Sequence, residues 1–406
     1  MPEHRTSSTP TAAVTWPGTP FAPRTAAFNG NALWMLWDRM MVVDVYADAR
    51  EELRAIREAV AMGDMSPLSK YEVRGPDAER FLDVLIPRDV TKLAVGQVYY
   101  TPWCDERGKL VNDGLTIRVD ETTFRLSADP NRAWLQARAE GFDVEIEDVT
   151  ERIAILTLQG PNAPAVLAAA TGEDWSGLSF SRLARARVEG VAIDVLRQGF
   201  TGEIGYELWV AAEDAPALWD AVAAAGAPHG ILPAGALALD VARVEAGLLI
   251  IGYDYTSAGE DRGGATVVAD HAHTGSPYEL GLGRLVDLGK GDFVGKAALL
   301  EESRRAGGER LLGIECDWRA LQAAHERLGE PSPDLGRVQW YPKPLLHDGA
   351  VVGRASSLVW APSVGRLIGF AHLPAELAEP GAELTVRWGV GGRDVEVPAA
   401  VRELPF

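Results

Sequence analysis

The stretch that decides the fold reads Gly199-Phe200-Thr201-Gly202-Glu203-Ile204-Gly205-Tyr206-Glu207. Strand-like runs at 191–198 and 206–210 bracket it, and a glycine-rich link between two such runs is typical of a hairpin connection. Its glycines would let the backbone approach a ligand closely. A glutamate on a half-exposed strand can face either inward or outward, so either Glu203 or Glu207 could be the inward residue.

Helical and strand-like patterns alternate closely on either side of this stretch. The spacing of apolar residues predicts helices at 48–62, 77–85, 131–140, 214–225, 236–246 and 296–302. Strand-like runs occur at 70–74, 98–100, 110–119, 123–127 and 152–158. Asp120 and Glu121 supply the turn of a predicted hairpin between the third and fourth of these runs. The mixture predicts an α+β fold.

The last hundred residues have a different pattern of apolar and turn-forming residues. Short β-like runs separated by turns predict a small antiparallel β-barrel, at 311–316, 349–356, 367–373 and 382–387. A polar, glycine-containing segment, 303–309, precedes them and suits a domain boundary. The 406 residues also exceed the size that one core usually reaches. We therefore predict a flexible lead-in at 1–23, two intertwined α+β subdomains at 24–306 and a barrel domain at 307–406.

The net charge excludes some classes of partner. A formal charge of −19 repels phosphate backbones and anionic lipid surfaces, so we expect neither nucleic acid nor a membrane as a partner. An anionic ligand would need a dedicated pocket. The charge does not identify one.

The two cysteines and the N-terminus predict a cytoplasmic protein. Cys104 and Cys316 lie in different halves of the chain, with neither metal-ligand spacing nor a disulfide framework, which fits a reducing compartment. The first 20 residues lack the apolar core of a secretory signal. No apolar run approaches the length of a transmembrane helix.

Six segments, in their order and spacing, resemble the family of the glycine-cleavage T-protein, or aminomethyltransferase, which includes folate-dependent demethylases. The resemblance covers nearly the whole chain from about residue 24 to residue 406. It implies a multi-domain cloverleaf with a C-terminal antiparallel β-barrel. The segments are Asp64-Met65-Ser66, the run from Cys104 to Asp113, Leu158-Gln159-Gly160-Pro161, the run from Gly199 to Glu207, Ala242-Arg243-Val244-Glu245-Ala246-Gly247, and the run from Asp292 to Leu299.

The resemblance implies an enzyme that uses tetrahydrofolate as a co-substrate. A methyl or methylene group would pass to it from a small N-, O- or S-methylated donor. The family carboxylate beside the N5/N10 edge of folate corresponds to Asp113, the predicted catalytic residue. A buried carboxylate there could polarise an amine or stabilise an iminium cation. Taken alone, Asp113 looks like an ordinary turn or strand-end aspartate, and the resemblance reverses that preference.

The resemblance also implies a set of cofactor-binding residues. Glu207 corresponds to the residue that holds the pterin ring, where a carboxylate can accept two hydrogen bonds from adjacent N–H donors. Tyr100, Phe200 and Tyr206 are candidate flat surfaces for the rings of folate, although buried aromatic residues usually belong to the core. Arg243 is a further candidate. Its alternative role is a structural ion pair with Asp240 or Glu245.

Three departures from the family pattern concern the donor. Leu239 stands where relatives carry an arginine, so one expected contact with folate or substrate is missing. Asn112 replaces an aspartate. The loop at 253–275 is longer than the matching link in the glycine-cleavage enzyme and would overhang the substrate entrance. We therefore expect a donor other than the lipoyl-bound aminomethyl group.

Two alternatives stay open, and one kind of site is not assigned. A maturation or regulatory protein of the same fold would bind folate without transfer, but such proteins often need a reactive cysteine in a short signature, which neither Cys104 nor Cys316 has. The scaffold could also serve a biosynthetic pathway with an unusual substrate. His271 and His273 read as solvated loop residues, because the sequence offers no third ligand nearby, and we predict no metal. The oligomeric state is left open.

Overall fold

A computed structural model describes residues 16–259, 273–305 and 307–406. Nine helices, α1 to α9, occur among them, at Ala22–Phe28, Ala49–Glu58, Ala78–Leu85, Arg132–Arg138, Ala163–Thr171, Ala215–Gly226, Ala236–Glu245, Lys296–Glu302 and Trp318–Leu328. Nineteen strands, β1 to β19, lie in the same ranges, at Leu33–Trp37, Met40–Val45, Val60–Asp64, Ser69–Arg74, Val98–Cys104, Leu110–Arg118, Thr123–Ala128, Glu145–Asp148, Ile153–Gln159, Leu183–Val188, Val191–Leu196, Gly205–Ala211, Ile231–Pro233, Glu309–Cys316, Lys343–His347, Ala350–Ala361, Arg366–Pro374, Glu383–Val390 and Arg393–Arg402.

Two large sheets, a barrel and the antiparallel pair β1-β2 organise the described strands. The first sheet has six strands in the order β10-β11-β12-β9-β3-β13, and helices α5 and α6 cover one of its faces. The second sheet has five strands in the order β5-β6-β7-β4-β8, and α3 and α4 pack against it. The predicted hairpin of β6 and β7 is confirmed, with Arg118 opposite Phe124.

The two sheets face each other across a small apolar cluster. We call it the intersheet cluster. Val98 and Ile117 come from the second sheet, and Ile155, Leu196 and Trp209 come from the first. Side chains of both sheets therefore share one space, which is where the candidate site lies.

The predicted C-terminal barrel is confirmed. Its six strands close in the order β14-β17-β16-β15-β18-β19, and β14 pairs with both β17 and β19. Closure removes the exposed edges that an open sheet would offer to other chains. The α+β fold with this barrel is therefore the predicted fold class. The sequence patterns did not predict β15, β19 or α9.

One predicted helix is too long. The helix expected at 48–62 ends at Glu58, and Val60–Asp64 continues as β3. Asp48 caps its start by accepting hydrogen bonds from the backbone N–H groups of Arg50 and Glu51. Val60 and Met62 are buried in the first sheet, because that position offers them a larger apolar core than a helix surface does.

The end of the predicted lead-in is packed against the body of the molecule. Residues 1–15 of the segment 1–23 lie outside the described residues. Phe21 is fully buried and contacts the ring of Trp219, and α1 begins at Ala22. Thr19 donates a hydrogen bond to Asp64. Within the described ranges, no helix is long and apolar enough to cross a membrane.

Candidate active site

A β-bulge lies two residues before Asp113 in β6. Trp103 pairs with Asn112, but the next residue of β5, Cys104, pairs with Leu110, so Val111 is an extra residue in β6. A bulge of this kind shifts the alternation of side chains by one. Val111 therefore packs with the cluster under α3 and α4, and Asp113 faces the other side.

That other side is the space between the sheets. Asp113 is cross-strand from Pro102, and Ile117 on the same face of β6 is cross-strand from Val98. Both Val98 and Ile117 belong to the intersheet cluster. Since residues two apart share a face, Asp113 and Tyr100 point into the same space.

Two tyrosine hydroxyls donate hydrogen bonds to the Asp113 carboxylate. The hydroxyl of Tyr100 donates to Oδ2 at 2.7 Å. The hydroxyl of Tyr255, which is 142 positions later in the chain, donates to Oδ1 through a short hydrogen bond. Tyr255 is 2% exposed, whereas Asp113 is only half-buried. The carboxylate is thus fixed in orientation and still accessible, and each oxygen keeps a lone pair for another donor.

A second carboxylate lies beside the first. Gly114 pairs with Ala128, so Asp129 is adjacent to Asp113 on the neighbouring strand. Burial raises the pKa of Asp129 to about 7, and the nearby charges of Asp113 and Asp38 add to the effect. Burial also raises the pKa of Asp113, while the hydrogen bonds from Tyr255 and Tyr100 lower it. The pair can therefore hold or release a proton near neutral pH.

Glu207 projects from the first sheet towards the same space. It is 6% exposed, and Nε1 of Trp209 donates to its Oε2 at 2.9 Å. Burial raises the pKa of Glu207 to about 6, against the opposing effects of the Trp209 bond and the charge of Lys70. Glu203 instead pairs with Arg57 at 3.1 Å, so Glu207 is the inward residue. Among the described residues, no hydrogen bond or ion pair joins Glu207 to Asp113.

Lys70 is a buried cation at the Glu207 end of this space. Its Nζ donates to the backbone carbonyl of Ser66 at 2.7 Å. Burial lowers the pKa of Lys70 to about 7, although the charges of Asp64, Asp148 and Glu207 favour its protonated form. Sequence patterns did not single out Lys70, because it lies in an otherwise ordinary strand.

Family comparisons agree with this architecture. Residues 27–290 match the GCVT N-terminal domain, and residues 333–406 match the glycine cleavage T-protein C-terminal barrel domain. The chain belongs to the glycine-cleavage T-protein family. The resemblance seen in the six sequence segments is thereby confirmed.

Relatives in the T-protein family match over most of their length. The chain is 31% identical to the aminomethyltransferase of Streptomyces coelicolor over 370 residues, which cover 89% of this chain and 90% of that protein. It is 35% identical to the aminomethyltransferase of Symbiobacterium thermophilum over 373 residues, with the same coverage of both chains. The glycine cleavage system aminomethyltransferase T from Bartonella henselae has the same fold, with a TM-score of 0.78 at 23% identity, over 96% of this chain and 98% of that one.

The other two aromatic candidates of this T-protein family member, Phe200 and Tyr206, lie on opposite faces of the first sheet. Phe200 packs against the intersheet cluster, on the Glu207 side. Tyr206 is 1% exposed in the core beneath α5 and α6, on the opposite face of β12. The predicted role of Tyr206 as a flat surface for the folate rings therefore does not fit its position beside Glu207, because adjacent residues of a strand point in opposite directions.

Arg243 is a structural residue. It is fully buried and donates to Asp240 at 2.8 Å, to Asp254 at 2.6 Å and to Ser357 at 2.8 Å. The ion pair with Asp240 is confirmed, whereas Glu245 pairs with Arg57 instead. The prediction that Arg243 binds the cofactor is therefore wrong, since its side chain is committed to joining α7 to the barrel.

The glycines of the 199–207 segment serve a protein side chain. A Cβ atom on Gly199 would lie 2.1 Å from Oε1 of Gln159, and one on Gly205 would lie 2.3 Å from its Nε2. Thr201 donates to the same Oε1 at 2.9 Å. The close backbone approach predicted for a ligand is thus made to Gln159.

The departures from the family pattern have local explanations. Leu239 is 8% exposed and joins the apolar cluster between α2, α7 and the barrel. Nδ2 of Asn112 donates to the carbonyl of Asp129 at 2.9 Å, which fixes β6 against the end of β7. In the loop at 253–275, Tyr253 stacks on Trp340 with ring centroids 4.7 Å apart. Residues 260–272 of that loop, including His271, lie outside the described ranges.

Proposed function

We propose that this protein transfers a one-carbon unit from a small, positively charged methylated donor to tetrahydrofolate. Its membership of the T-protein family supports tetrahydrofolate as the acceptor. The observation that carries the proposal is the Asp113 carboxylate, held by Tyr100 and Tyr255 beside Asp129. We assign the chemical step to this group.

Glu207 suits the pterin ring of the acceptor. Its Oε2 is occupied by Trp209, and among the described residues Oε1 accepts no hydrogen bond. A buried carboxylate with a free oxygen would bind the N–H donors of an aminopyrimidinone strongly, because no water competes. Phe200 on the same side of the sheet offers apolar surface to the ring.

The charge around Asp113 favours a cationic donor. Asp113, Asp129 and Asp38 influence one another electrostatically, and two phenol hydroxyls already donate to Asp113. A methylated ammonium or sulfonium group would be attracted to this region, whereas a carboxylated methoxyarene would be repelled. We therefore place methylated amines and sulfonium compounds ahead of methoxyarenes as donors.

The step balances without an oxidant. The methyl group leaves the donor cation without the bonding electrons, which stay on the departing neutral amine or sulfide. A nitrogen of tetrahydrofolate forms the new bond to carbon and loses its proton to the carboxylate of Asp113. Burial raises the pKa of Asp113 towards neutral pH. A general base is most effective when its pKa lies near the pH of the reaction.

The test is incubation with tetrahydrofolate and a panel of methylated amines, sulfonium compounds and methoxyarenes. We expect a methylated folate product, detected by mass, from at least one cationic donor. Asp113→Asn should lower kcat by about 10²–10⁴-fold, the usual contribution of a general base. Asp348→Asn, at a side chain that is 93% exposed, is the control. Absence of product from every donor would contradict the proposal.

The non-catalytic alternative predicts a different outcome. A maturation or regulatory protein would bind folate, measured by calorimetry, but form no product with any donor. Both cysteines are buried, and burial raises the pKa of the Cys316 thiol to about 12 and that of Cys104 higher still. Buried thiols of this kind are poor nucleophiles, which counts against a function that needs a reactive cysteine.

A further inference from the structure

Three metal-ligating side chains meet where the long loop joins the barrel. Nε2 of His273 lies 3.1 Å from Oε2 of Glu309, the first residue of β14. Nδ1 of His372, on β17, lies 3.9 Å from Oε1 of the same carboxylate. The three ligand atoms all lie within 4.8 Å of one another. His273 is therefore not a solvated loop residue as its sequence context predicts, and only 27% of its side chain is exposed.

The hydrogen bonds around His372 leave one of its nitrogens free to bind a cation. Its Nε2 lies 3.4 Å from the hydroxyl of Ser356, and that hydroxyl donates its own proton to Asp254 at 2.7 Å. Ser356 can therefore only accept from His372, which assigns the proton to Nε2. Nδ1 then carries a lone pair directed at the cluster. His372 is 1% exposed, and its Nδ1 makes no hydrogen bond within the part of the chain that is described.

His273 presents a second nitrogen of the same kind. Its Nε2 is buried and lies 3.1 Å from Oε2 of Glu309, but within the described ranges it makes no contact with the geometry of a good hydrogen bond. The backbone of His273 is held by two hydrogen bonds with Thr256, one at 2.7 Å from the Thr256 N–H and one at 3.0 Å to its hydroxyl. Two imidazole nitrogens, from His273 and His372, thus converge on one carboxylate, which is an arrangement that a shared cation would explain.

Glu309 is oriented as metal-binding carboxylates usually are. Arg354 donates to its Oε1 at 2.9 Å, so Oε2 is left to face the cluster. Outer hydrogen bonds to a ligand fix its orientation. The guanidinium charge opposes a second cation nearby, so the arginine lowers the affinity of the site without removing a ligand.

We propose that His273, Glu309 and His372 bind a zinc ion that fastens the end of the long loop to the barrel. Two imidazoles and one carboxylate form a ligand set that zinc adopts, with a water molecule in the fourth position. Ligands about 2.0–2.1 Å from zinc lie roughly 3.3 Å apart in a tetrahedral site. The contact between His273 and Glu309, at 3.1 Å, already has this spacing, whereas His372, 3.9 Å from the carboxylate, would have to move closer.

The test uses the full-length protein without an affinity tag, because a histidine tag would bind zinc itself. After treatment with a chelator, the protein is incubated with zinc chloride and desalted. Its zinc content is then measured by elemental mass spectrometry. We expect one zinc ion per chain and a zinc-dependent rise in Tm. His372→Ala should weaken zinc binding by at least tenfold and abolish the rise in Tm, while His347→Ala, on the exposed β15 end, should change neither.

Two further measurements keep the proposal falsifiable if His372→Ala does not fold. His273→Ala, at a less buried position, should lose zinc in the same way, and cobalt added to the wild-type protein should give the absorption of a tetrahedral site. Wild-type protein that retains no zinc would overturn the proposal. Zinc binding by the folded His273→Ala or His372→Ala protein equal to that of the wild type would also overturn the proposal. The three side chains would then be an ion-pair cluster and not a zinc site.

Discussion

The Asp113 carboxylate of the candidate site is held by partners from distant parts of the chain. Asp113 lies in β6, in one of the six family segments. Tyr255 follows α7, 142 positions after Asp113, and donates a hydrogen bond to it. Asp129 comes from the neighbouring strand. The chemistry of one carboxylate is thus set by three elements that must be placed together before it can act.

Tyr255→Phe tests how the phenols tune Asp113. The lost hydrogen bond stabilises the ionised carboxylate, so its removal should raise the pKa of Asp113. If transfer needs the ionised form, the acidic limb of the pH profile of kcat should move to higher pH. Tyr341→Phe, at a residue that is 61% exposed, is the control. An unmoved limb in a folded Tyr255→Phe protein would argue against Asp113 as the base.

Lys70→Met tests the buried cation through the pH dependence of stability. The pKa of Lys70 is about 7 in the folded chain, whereas a lysine in an unfolded chain titrates near 10.4. Between these values the unfolded state binds more protons, so the wild-type free energy of unfolding gains up to about 1.4 kcal/mol per pH unit. Relative to Lys70→Met, wild-type stability should therefore rise with pH above about 7.

The measurement is urea unfolding at several pH values. The comparison is made above about pH 8, because loss of the Lys70 charge also raises the pKa of Glu207, which is about 6 in the wild-type chain. Lys92→Met is the control, since the side chain of Lys92 is 68% exposed. A difference between wild type and Lys70→Met that does not change with pH would mean that Lys70 stays charged in the folded chain.

Sequence and structure agree best where the functional signal is local. Asp113 and Glu207 sit within short segments of the family pattern, so both could be named from the sequence. Tyr255 could not, because it carries no local pattern and acts across 142 positions. Arg243 was misjudged, because its partners Asp254 and Ser357 come from a loop and from the barrel.

At the scale of elements, the contact between β6 and β7 leaves no room for a side chain at Gly114. A Cβ atom on Gly114 would lie 2.3 Å from the carbonyl oxygen of Ser127. This neighbour is backbone and cannot move without separating the strands. The absence of a side chain at Gly114 therefore lets Asp113 and Asp129 lie side by side.

Gly114→Ala should reduce both stability and ligand binding. Overpacking of this kind costs about 1–3 kcal/mol, to be measured as the free energy of unfolding in urea. Tetrahydrofolate binding should weaken in calorimetry as the two carboxylates separate. Gly177→Ala is a matched control, because nothing lies within 4 Å of a Cβ atom there. A Gly114→Ala protein as stable as Gly177→Ala would contradict the close pairing.

The kind and order of elements could be predicted better than their ends. Amphipathic spacing identified α2, but Val60 and Met62 continue that spacing while belonging to β3. Burial in the first sheet decides their conformation, and a single sequence does not reveal which partner strand will be available. The same limit hid the bulge at Val111, since nothing in that residue type marks it as unpaired.

At the scale of the whole molecule, a buried ionic network joins the barrel to the rest of the chain. Asp254 is fully buried and accepts hydrogen bonds from Arg243, from Ser356 at 2.7 Å and from Ser357 at 2.6 Å. Both serines belong to β16, and Arg243 belongs to α7. The barrel is thus attached through charge as well as through apolar packing.

Asp254→Ala should loosen this attachment. Removing one partner of a buried ion pair leaves the other charge unpaired and costs about 3–5 kcal/mol. We expect a loss of that size in the free energy of urea unfolding. Asp348→Asn should stay within about 0.5 kcal/mol of the wild-type protein, because its side chain is 93% exposed and asparagine, like aspartate, tolerates the left-handed backbone at this position. A loss no larger than that of Asp348→Asn would show that apolar packing alone attaches the barrel.

The extra residue at Val111 separates the acid from the turn that precedes it. From Asn112 onward, β6 is held in register by its pairs with β5 and β7, whereas Leu110 and the turn lie beyond the bulge. A change of length in that turn should therefore alter the facing of the residues before Val111 and leave the acid where it is. A designer who grafts this site onto another scaffold is thus free to shorten or lengthen the turn, provided that both neighbouring strands are copied.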